Sequence, residues 1–200
     1  MQLLSFYEIK KRLGTKTVGI AGAGGLGSNC AVSLARTGIG KLVIADFDIV
    51  DHDNLNRQYF FTDQVGMKKV RALKENIKRI NPDVDVEVYD IILEPVNIPE
   101  IFGSCSVIIE AFDLAEMKKM LAETVISRMP GKYLIMGCGL AGFGNNNALR
   151  TIKSDNIYIC GDLENETTEN MPPLAPRVGI VANMQANQAV ELLLLQEDHQ

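Results

Sequence analysis

Gly22-Ala23-Gly24-Gly25-Leu26-Gly27-Ser28 has the composition and spacing of a phosphate-binding turn. Glycines let backbone N–H groups approach phosphate oxygens, and a helix starting there offers free N–H groups and a partial positive charge to an anion. About 20 residues later comes Asp46, where a ribose-binding carboxylate belongs. These two features alone would place a dehydrogenase first. Three others favour ATP. The stretch after Asp46 carries Asp48, Asn54, Arg57 and Gln58, and it leads to Lys68 and Lys69. Hydride transfer needs a flat nicotinamide pocket, whereas cations beside a glycine loop neutralise charge on a triphosphate. Finally, segment 106–111 leads directly into Asp113. A carboxylate at that sheet edge, facing phosphates, suits Mg2+.

Positioning these groups requires an alternation of strands and helices. Thr17–Ala21 reads as a short buried strand, Leu26–Thr37 as a helix, and Lys41–Ala45 as a second strand. The polar run 51–58 is a loop or short helical turn. Gly66–Ile80 is predicted helical from Val70, Leu73, Ile77 and Ile80, ending before Asn81-Pro82. Val84, Val86 and Val88 alternate with acidic residues, as in a strand with one exposed face. A short helix near 98–102, a buried strand at 106–111, a helix at 114–128 and a strand at 133–136 follow. Residues 148–152 and 157–159 read as paired antiparallel strands, an extension near residues 146–160. Residues 161–176, with Pro172, Pro173 and Pro176, are expected to form a mobile crossover loop before a closing helix over 178–195. The fold class is α/β: a Rossmann-like, mostly parallel sheet with helices on both faces. One domain over residues 1–200 is the simplest account.

Composition agrees with this. Of 200 residues, 46% are hydrophobic and 22% charged, as in a globular domain. The net charge of −5 argues against general affinity for nucleic acid, which needs clustered cations. The segment 1–12 lacks the pattern of a signal peptide, and no apolar run approaches membrane-spanning length. Cys30, Cys105, Cys138 and Cys160 are scattered, with no C-x-x-C pair, and read as reduced thiols in a cytoplasmic protein.

Taken together, G-A-G-G-L-G-S, D-F-D-I-V, N-L-N-R-Q, V-G-M-K-K-V, I-N-P and the strand ending at Asp113 resemble the ThiF/MoeB/ubiquitin-activating-enzyme superfamily. The length, the turn at 139–144 and A-P-R-V-G at 175–179 resemble its short ThiF-type branch of thiamine biosynthesis. The resemblance implies an ATP-dependent adenylyltransferase that activates the C-terminal Gly-Gly carboxylate of a ubiquitin-like sulfur carrier protein and releases pyrophosphate. It implies that Gly22, Gly24, Gly25 and Gly27 approach the nucleotide and that Asp46 holds the ribose, with Asp48 ordering the loop. Asn54, Arg57 and Lys69 would bind the triphosphate, and Asp113 would carry Mg2+; Arg57, Lys69 and Asp113 are the catalytic set. A homodimer is implied as well.

Each residue also has a plainer role: a tight turn for the glycines, a loop cap for Asp46, solvated charges for Arg57 and Lys69, a helix cap for Asp113. His52 and His199 read as loop and tail residues. The chain departs from the family pattern in several places. Without C-x-x-C pairs no zinc is expected, and residues 161–178 contain no cysteine for a covalent intermediate. Leu114 follows Asp113 where many relatives have asparagine. The R-Y-x-R-Q opening is missing, and Arg12 is the one arginine before the glycine turn. Three alternatives stay open. They are adenylation of another carboxylate on a tRNA nucleoside or peptide, a non-catalytic nucleotide-binding subunit, and an NAD-dependent oxidoreductase.

Overall fold

The computed structural model describes residues 4–195. Helix α1 (Phe6–Leu13) precedes β1 (Thr17–Ala21), α2 (Gly25–Thr37) and β2 (Lys41–Ala45). Then come α3 (Lys69–Ile80), β3 (Asp85–Tyr89), α4 (Ile98–Phe102), β4 (Val107–Glu110), α5 (Ala115–Arg128) and β5 (Tyr133–Gly137). The hairpin β6 (Arg150–Ser154) and β7 (Ile157–Gly161) leads through a crossover to α6 (Ala175–Leu195).

The seven strands form one sheet in the order β3-β2-β1-β4-β5-β7-β6. All neighbours pair parallel except β6 with β7. From β1 the chain winds outward through β2 and β3, then returns to lay β4 on the other side. The crevice beyond the carboxyl ends of β1 and β4 is therefore the topological switch point, where sheets of this kind bind ligands.

Alternation along the strands fills both faces. Val18, Ile20, Leu42, Ile44, Val107 and Ile109 pack with α2, α3 and α6. Val43, Ala45, Ile108 and Leu134 pack on the other face with Ile98, Phe102, Leu121 and Val125. Gly19 has no side chain for a steric reason: a Cβ there would stand 2.6 Å from Cδ1 of fully buried Phe102. Truncating such a phenylalanine costs about 3–5 kcal/mol.

The fold class and the antiparallel extension are as expected from sequence; four details differ. α1 is an element that apolar periodicity does not reveal. It is nucleated by a capping box in which the Ser5 amide donates to Glu8 Oε2 at 2.8 Å while Ser5 Oγ accepts from the Glu8 amide. α3 starts at Lys69 rather than Gly66, because Gly66 has φ +89° and Ile49 bridges to Lys68 just before the helix. α6 starts at Ala175, with Pro176 in its first turn. It meets the length and apolarity of a membrane-crossing helix. However, Val178, Val181, Ala182, Gln185, Ala186, Ala189, Leu192 and Leu193 are buried within the domain. Lastly, the two ends of the crossover are anchored by hydrogen bonds described below.

Candidate functional site

The glycine turn sits where β1 ends at the switch point, and its glycines are constrained unequally. Gly22 has φ +100°, and a Cβ on it would meet Ala111 O at 2.8 Å. A Cβ on Gly27 would stand 1.9 Å from Gly22 O, so helix and strand can close only over glycine. Gly24, at the N-cap of α2, is open: the one atom within 4 Å of a Cβ there is Gln58 Nε2, at 3.8 Å. No side chain caps α2, and its first intrahelical bond runs from the Ser28 amide to Gly24 O. The N–H groups ahead of it have no intrahelical acceptor, which leaves them available to an anion.

Asp46, one residue beyond β2, shapes this turn. Its Oδ2 accepts from the Ala23 amide at 2.6 Å and its Oδ1 from the Asp48 amide at 2.7 Å. Burial pushes its carboxyl above the usual range, opposed by those two bonds and by the nearby Lys69. Each oxygen retains a second lone pair for a ribose hydroxyl. Asp48 pairs with Lys69 Nζ at 2.7 Å, and the Lys69 amide also donates to Asp48 O. Lys69 is buried at 6% exposure, whereas Lys68 turns outward to Asp90 (3.0 Å) and to Phe47 O. The two adjacent lysines thus differ: Lys69 is buried and Lys68 lies at the surface.

The loop with Asn54, Arg57 and Gln58 is held from two sides. From α2, Asn29 Nδ2 donates to Gly25 O (2.7 Å) and Arg57 O (2.9 Å), and Ser28 Oγ accepts from the Tyr59 amide. From α3, Asn76 Nδ2 donates to Tyr59 O and to Gln64 Oε1, both at 3.0 Å. The aliphatic stem of Arg57 lies over Gly25, with Cγ 3.6 Å from a Cβ built there. Its guanidinium turns back onto Asp53 O and Asn56 Oδ1. Asn54 is engaged locally through its Oδ1, which accepts from the Asp51 amide. The structure therefore brings the four glycines, Asp46, Asp48 and Lys69 together, and places only the stem of Arg57 there. Arg57 would exchange its contacts with Asp53 and Asn56 for a phosphate, whereas Asn54 keeps its Nδ2 donor unspent while Oδ1 caps its turn.

Asp113 follows β4 on the other side of the switch point, exposed. Beneath it, Glu110 is fully buried and held by Lys118 Nζ at 2.8 and 2.9 Å and by the Phe112 amide at 2.7 Å. Burial pushes Glu110 up against the pull of Lys118. Gln185 of α6 donates to Glu110 O and Ile135 O, joining the ends of β4 and β5. Sequence reasoning misses this support for the Asp113 turn, since nothing periodic marks Glu110, Lys118 or Gln185. Among the described residues no three His, Cys, Asp or Glu side chains converge on one point. A lone exposed carboxylate fits Mg2+ carried in on phosphates, since that ion keeps waters and takes one or two carboxylates.

The crossover loop is anchored at Asp162 and Arg177, 1% and 4% exposed, which form a buried ion pair. Asp162 also accepts from the Glu164 and Asn165 amides and from Asn165 Nδ2. Burial opposes its ionisation, but these donors and Arg177 prevail and hold its pKa at about 2. Arg177 donates further to Gly144 O at 2.6 Å. All four cysteines are pushed up by burial, Cys105 to about 11, the direction that disfavours a nucleophilic thiolate. Of the two histidines, His52 lies in the loop turn 52–54, and His199 lies outside the described residues.

The model of the ThiF family matches residues 2–200. The ubiquitin-like modifier-activating enzyme 5 of Drosophila simulans is 42% identical over 90 residues, 45% of this chain and 22% of that protein. A probable molybdopterin-synthase adenylyltransferase of Porphyra purpurea is 28% identical over 192 residues, 94% of this chain and 50% of that protein. The chain thus spans half or less of these relatives' length. Among solved structures, the E. coli tRNA N6-threonylcarbamoyladenosine dehydratase TcdA in complex with ATP superposes with a TM-score of 0.86 at 22% identity, covering 96% of this chain and 91% of that one. E. coli MccB with ATP gives 0.71 at 19% identity, covering 92% and 58%. At these identities the two structures share the fold.

Proposed function

The chain belongs to the ThiF family, and from that premise we propose that it adenylates a carboxylate with ATP, the substrate being the C-terminal Gly-Gly of a ubiquitin-like sulfur carrier protein. The observation that carries this reading is the convergence of the bare glycine turn, Asp46 and inward-facing Lys69 on one sheet edge, beside the Asp113 turn. The carboxylate oxygen attacks the α-phosphorus, a new P–O bond forms, and the bond to pyrophosphate breaks. No general base is needed, because a C-terminal carboxylate is ionised at neutral pH. Two anions must meet, so charge neutralisation does most of the work. Lys69, and Arg57 once freed from Asp53 and Asn56, would supply it, while Gly22, Gly24, Gly25 and Gly27 admit the phosphates. Asn54 would add an amide donor, and Asp46 would fix the ribose with Asp48 keeping its loop in place. Mg2+ held by Asp113 would screen the phosphates. The lack of cysteine in residues 161–178 supports a reaction that ends at the acyl-adenylate, without a covalent cysteine intermediate. A role in thiazole synthesis for thiamine, a homodimer and a cytoplasmic location complete the proposal, all drawn from the family resemblance.

The test is exchange of radiolabelled pyrophosphate into ATP with Mg2+, with and without a Gly-Gly-ended carrier, beside Asp113→Ala. Carrier-dependent exchange that the variant loses would establish acyl-adenylate chemistry. If ATP binds but no carrier supports exchange, the reading gives way to a nucleotide-binding partner subunit. The guanidinium of Arg57, held on Asp53 O and Asn56 Oδ1, is the observation that favours this second reading.

A further inference from the structure

Between β4 and β5 the sheet opens one step early. β4 pairs with β1 as far as Glu110, but with β5 only as far as Ile109 and Ile135. Side chains close the gap. Gln185 Nε2 donates to Glu110 O at 2.8 Å and to Ile135 O at 3.3 Å. The Glu110 carboxylate accepts from the Gly137 and Phe112 amides, while Lys118 Nζ reaches both of its oxygens and Gly137 O. With three acceptors for its three protons, the ammonium has nothing left to offer a ligand. Stability alone gives no reason for this pair, since apolar side chains often hold a core as well as a buried ion pair does. Its place gives one. The Asp113 carboxylate makes no hydrogen bond or ion pair of its own among the described residues, and no side chain caps α5. The turn is fixed at the residues on either side of Asp113, and both ties lead to Lys118. Ahead, the Phe112 amide is held by Glu110, which Lys118 clamps; behind, the Lys118 amide donates to Leu114 O at 3.1 Å.

We propose that Glu110 and Lys118 are a positioning pair, which holds the Asp113 carboxylate where Mg2+ carried on the ATP phosphates meets it. The inference rests on the adenylation reading, with Asp113 as its metal ligand, and adds two residues whose polar atoms are already used within the fold. Mg2+ takes one or two carboxylates and demands near-ideal geometry, so the direction of a lone one matters. The backbone that carries Asp113 must set that direction, because its side chain has no partner. The pair fixes this backbone from below and ties it to β5 across the open step.

The experiment measures ATP binding by calorimetry, with Mg2+ and with EDTA, beside thermal unfolding of each protein. The proteins are the wild type, Asp113→Ala, the paired variant Glu110→Met with Lys118→Met, and all three changes together. The pair is replaced as a unit so that no charge is stranded in the core. Its affinity for ATP with Mg2+ should fall about ten- to a hundredfold, as when the groups that orient a metal ligand are lost. Its affinity in EDTA should stay within about twofold, because the glycine turn, Asp46 and Lys69 are untouched. Adding Asp113→Ala to the paired variant should cost less than about twofold more, since groups that act through Asp113 have nothing to act on without it. Glu110→Gln, close to the native shape, sets an amide donor against Lys118 or Phe112, and it decides the matter by the same measurements if the methionine pair fails to fold. Unchanged binding with Mg2+ in these variants overturns the proposal and leaves the adenylation reading standing. Equal losses with Mg2+ and with EDTA also overturn it, by showing that the pair only shapes the fold, as do losses that add to that of Asp113→Ala. If Asp113→Ala binds ATP with Mg2+ like the wild type, the metal ligand falls and the role of the pair with it. A wild type that binds no ATP refutes the adenylation reading itself.

Discussion

The ion pair between Asp162 and Arg177 should respond unequally to loss of its two members. Replace Asp162 by asparagine and the Arg177 guanidinium, 4% exposed, keeps one acceptor, Gly144 O, with its Nε already unpartnered. The new carboxamide brings one oxygen to a place with donors on both sides: the Glu164 and Asn165 amides at Oδ1, and Arg177 and Asn165 Nδ2 at Oδ2. One side must then set a donor against donors. Stranding a buried charge in this way costs about 3–5 kcal/mol, a large part of a domain's stability. Arg177→Met leaves Asp162 with two backbone amides and an asparagine amide, so its cost should be nearer ~2 kcal/mol, that of hydrogen bonds to a charged group. The pH dependence gives a second check. Asp162 has its folded pKa lowered from 3.8 to about 2, so its ionisation contributes about 2 kcal/mol above pH 4 that is lost as pH falls through 2. Urea unfolding at pH 7 and pH 3 would measure both effects. The Asp162→Asn deficit should be the larger at pH 7 and should narrow on acidification. An Arg177→Met deficit equal to or larger than that of Asp162→Asn, or an Asp162→Asn deficit unchanged down to pH 3, would refute the argument.

Three further outcomes follow from the site. Gly27→Ala should abolish ATP binding, because its Cβ would lie 1.9 Å from Gly22 O; Gly66→Ala, with φ +89° but nothing within 4 Å, should cost about 1–2 kcal/mol and bind normally in the same titration. Lys69→Met should lower carrier-dependent exchange about a hundredfold and Lys68→Met less than about threefold, measured side by side, since only Lys69 faces inward. Because ionised Asp46 accepts from the Ala23 and Asp48 amides and from ribose hydroxyls better than its acid form, and burial raises its pKa, ATP binding should weaken as pH falls while still above the ordinary carboxylate range. A fluorescent ATP analogue titrated over that range should show this midpoint in the wild type and a flat profile in Asp46→Asn.

What the residues make legible is what short range dictates. β1, the glycine turn, α2 and β2 follow from apolar periodicity and glycine spacing, and their order alone puts Asp46 at the sheet edge. α1 is hidden because its seed is a polar exchange between Ser5 and Glu8 rather than an apolar stripe. The start of α3 is misleading because Gly66 sits inside an apolar pattern yet holds a left-handed turn. Pairs made by the fold are harder still. Glu110 and Lys118 are eight residues apart across a strand, a turn and a helix, and Asp162 and Arg177 fifteen apart across a proline-rich loop. Both lie where composition predicts only buried strand or mobile loop.

The same distinction explains why the nucleotide site looks half assembled. Groups set by the sheet's geometry already face the crevice: the glycines, Asp46 and Lys69, each pinned by backbone bonds. Groups on the 51–58 stretch answer to local partners, with Asn54 capping its own turn and Arg57 folded onto Asp53. Their contacts lie at the surface, where exchanging a neutral hydrogen bond for a charged one to phosphate is favourable. The loop itself need not move for this, because Ser28, Asn29 and Asn76 hold its backbone to two helices. Binding of a triphosphate then asks for rotation of the Arg57 side chain on a fixed backbone. The entropic penalty stays at about 1–2 kcal/mol for that side chain, and the Mg2+ carried on the phosphates finds Asp113 exposed across the switch point.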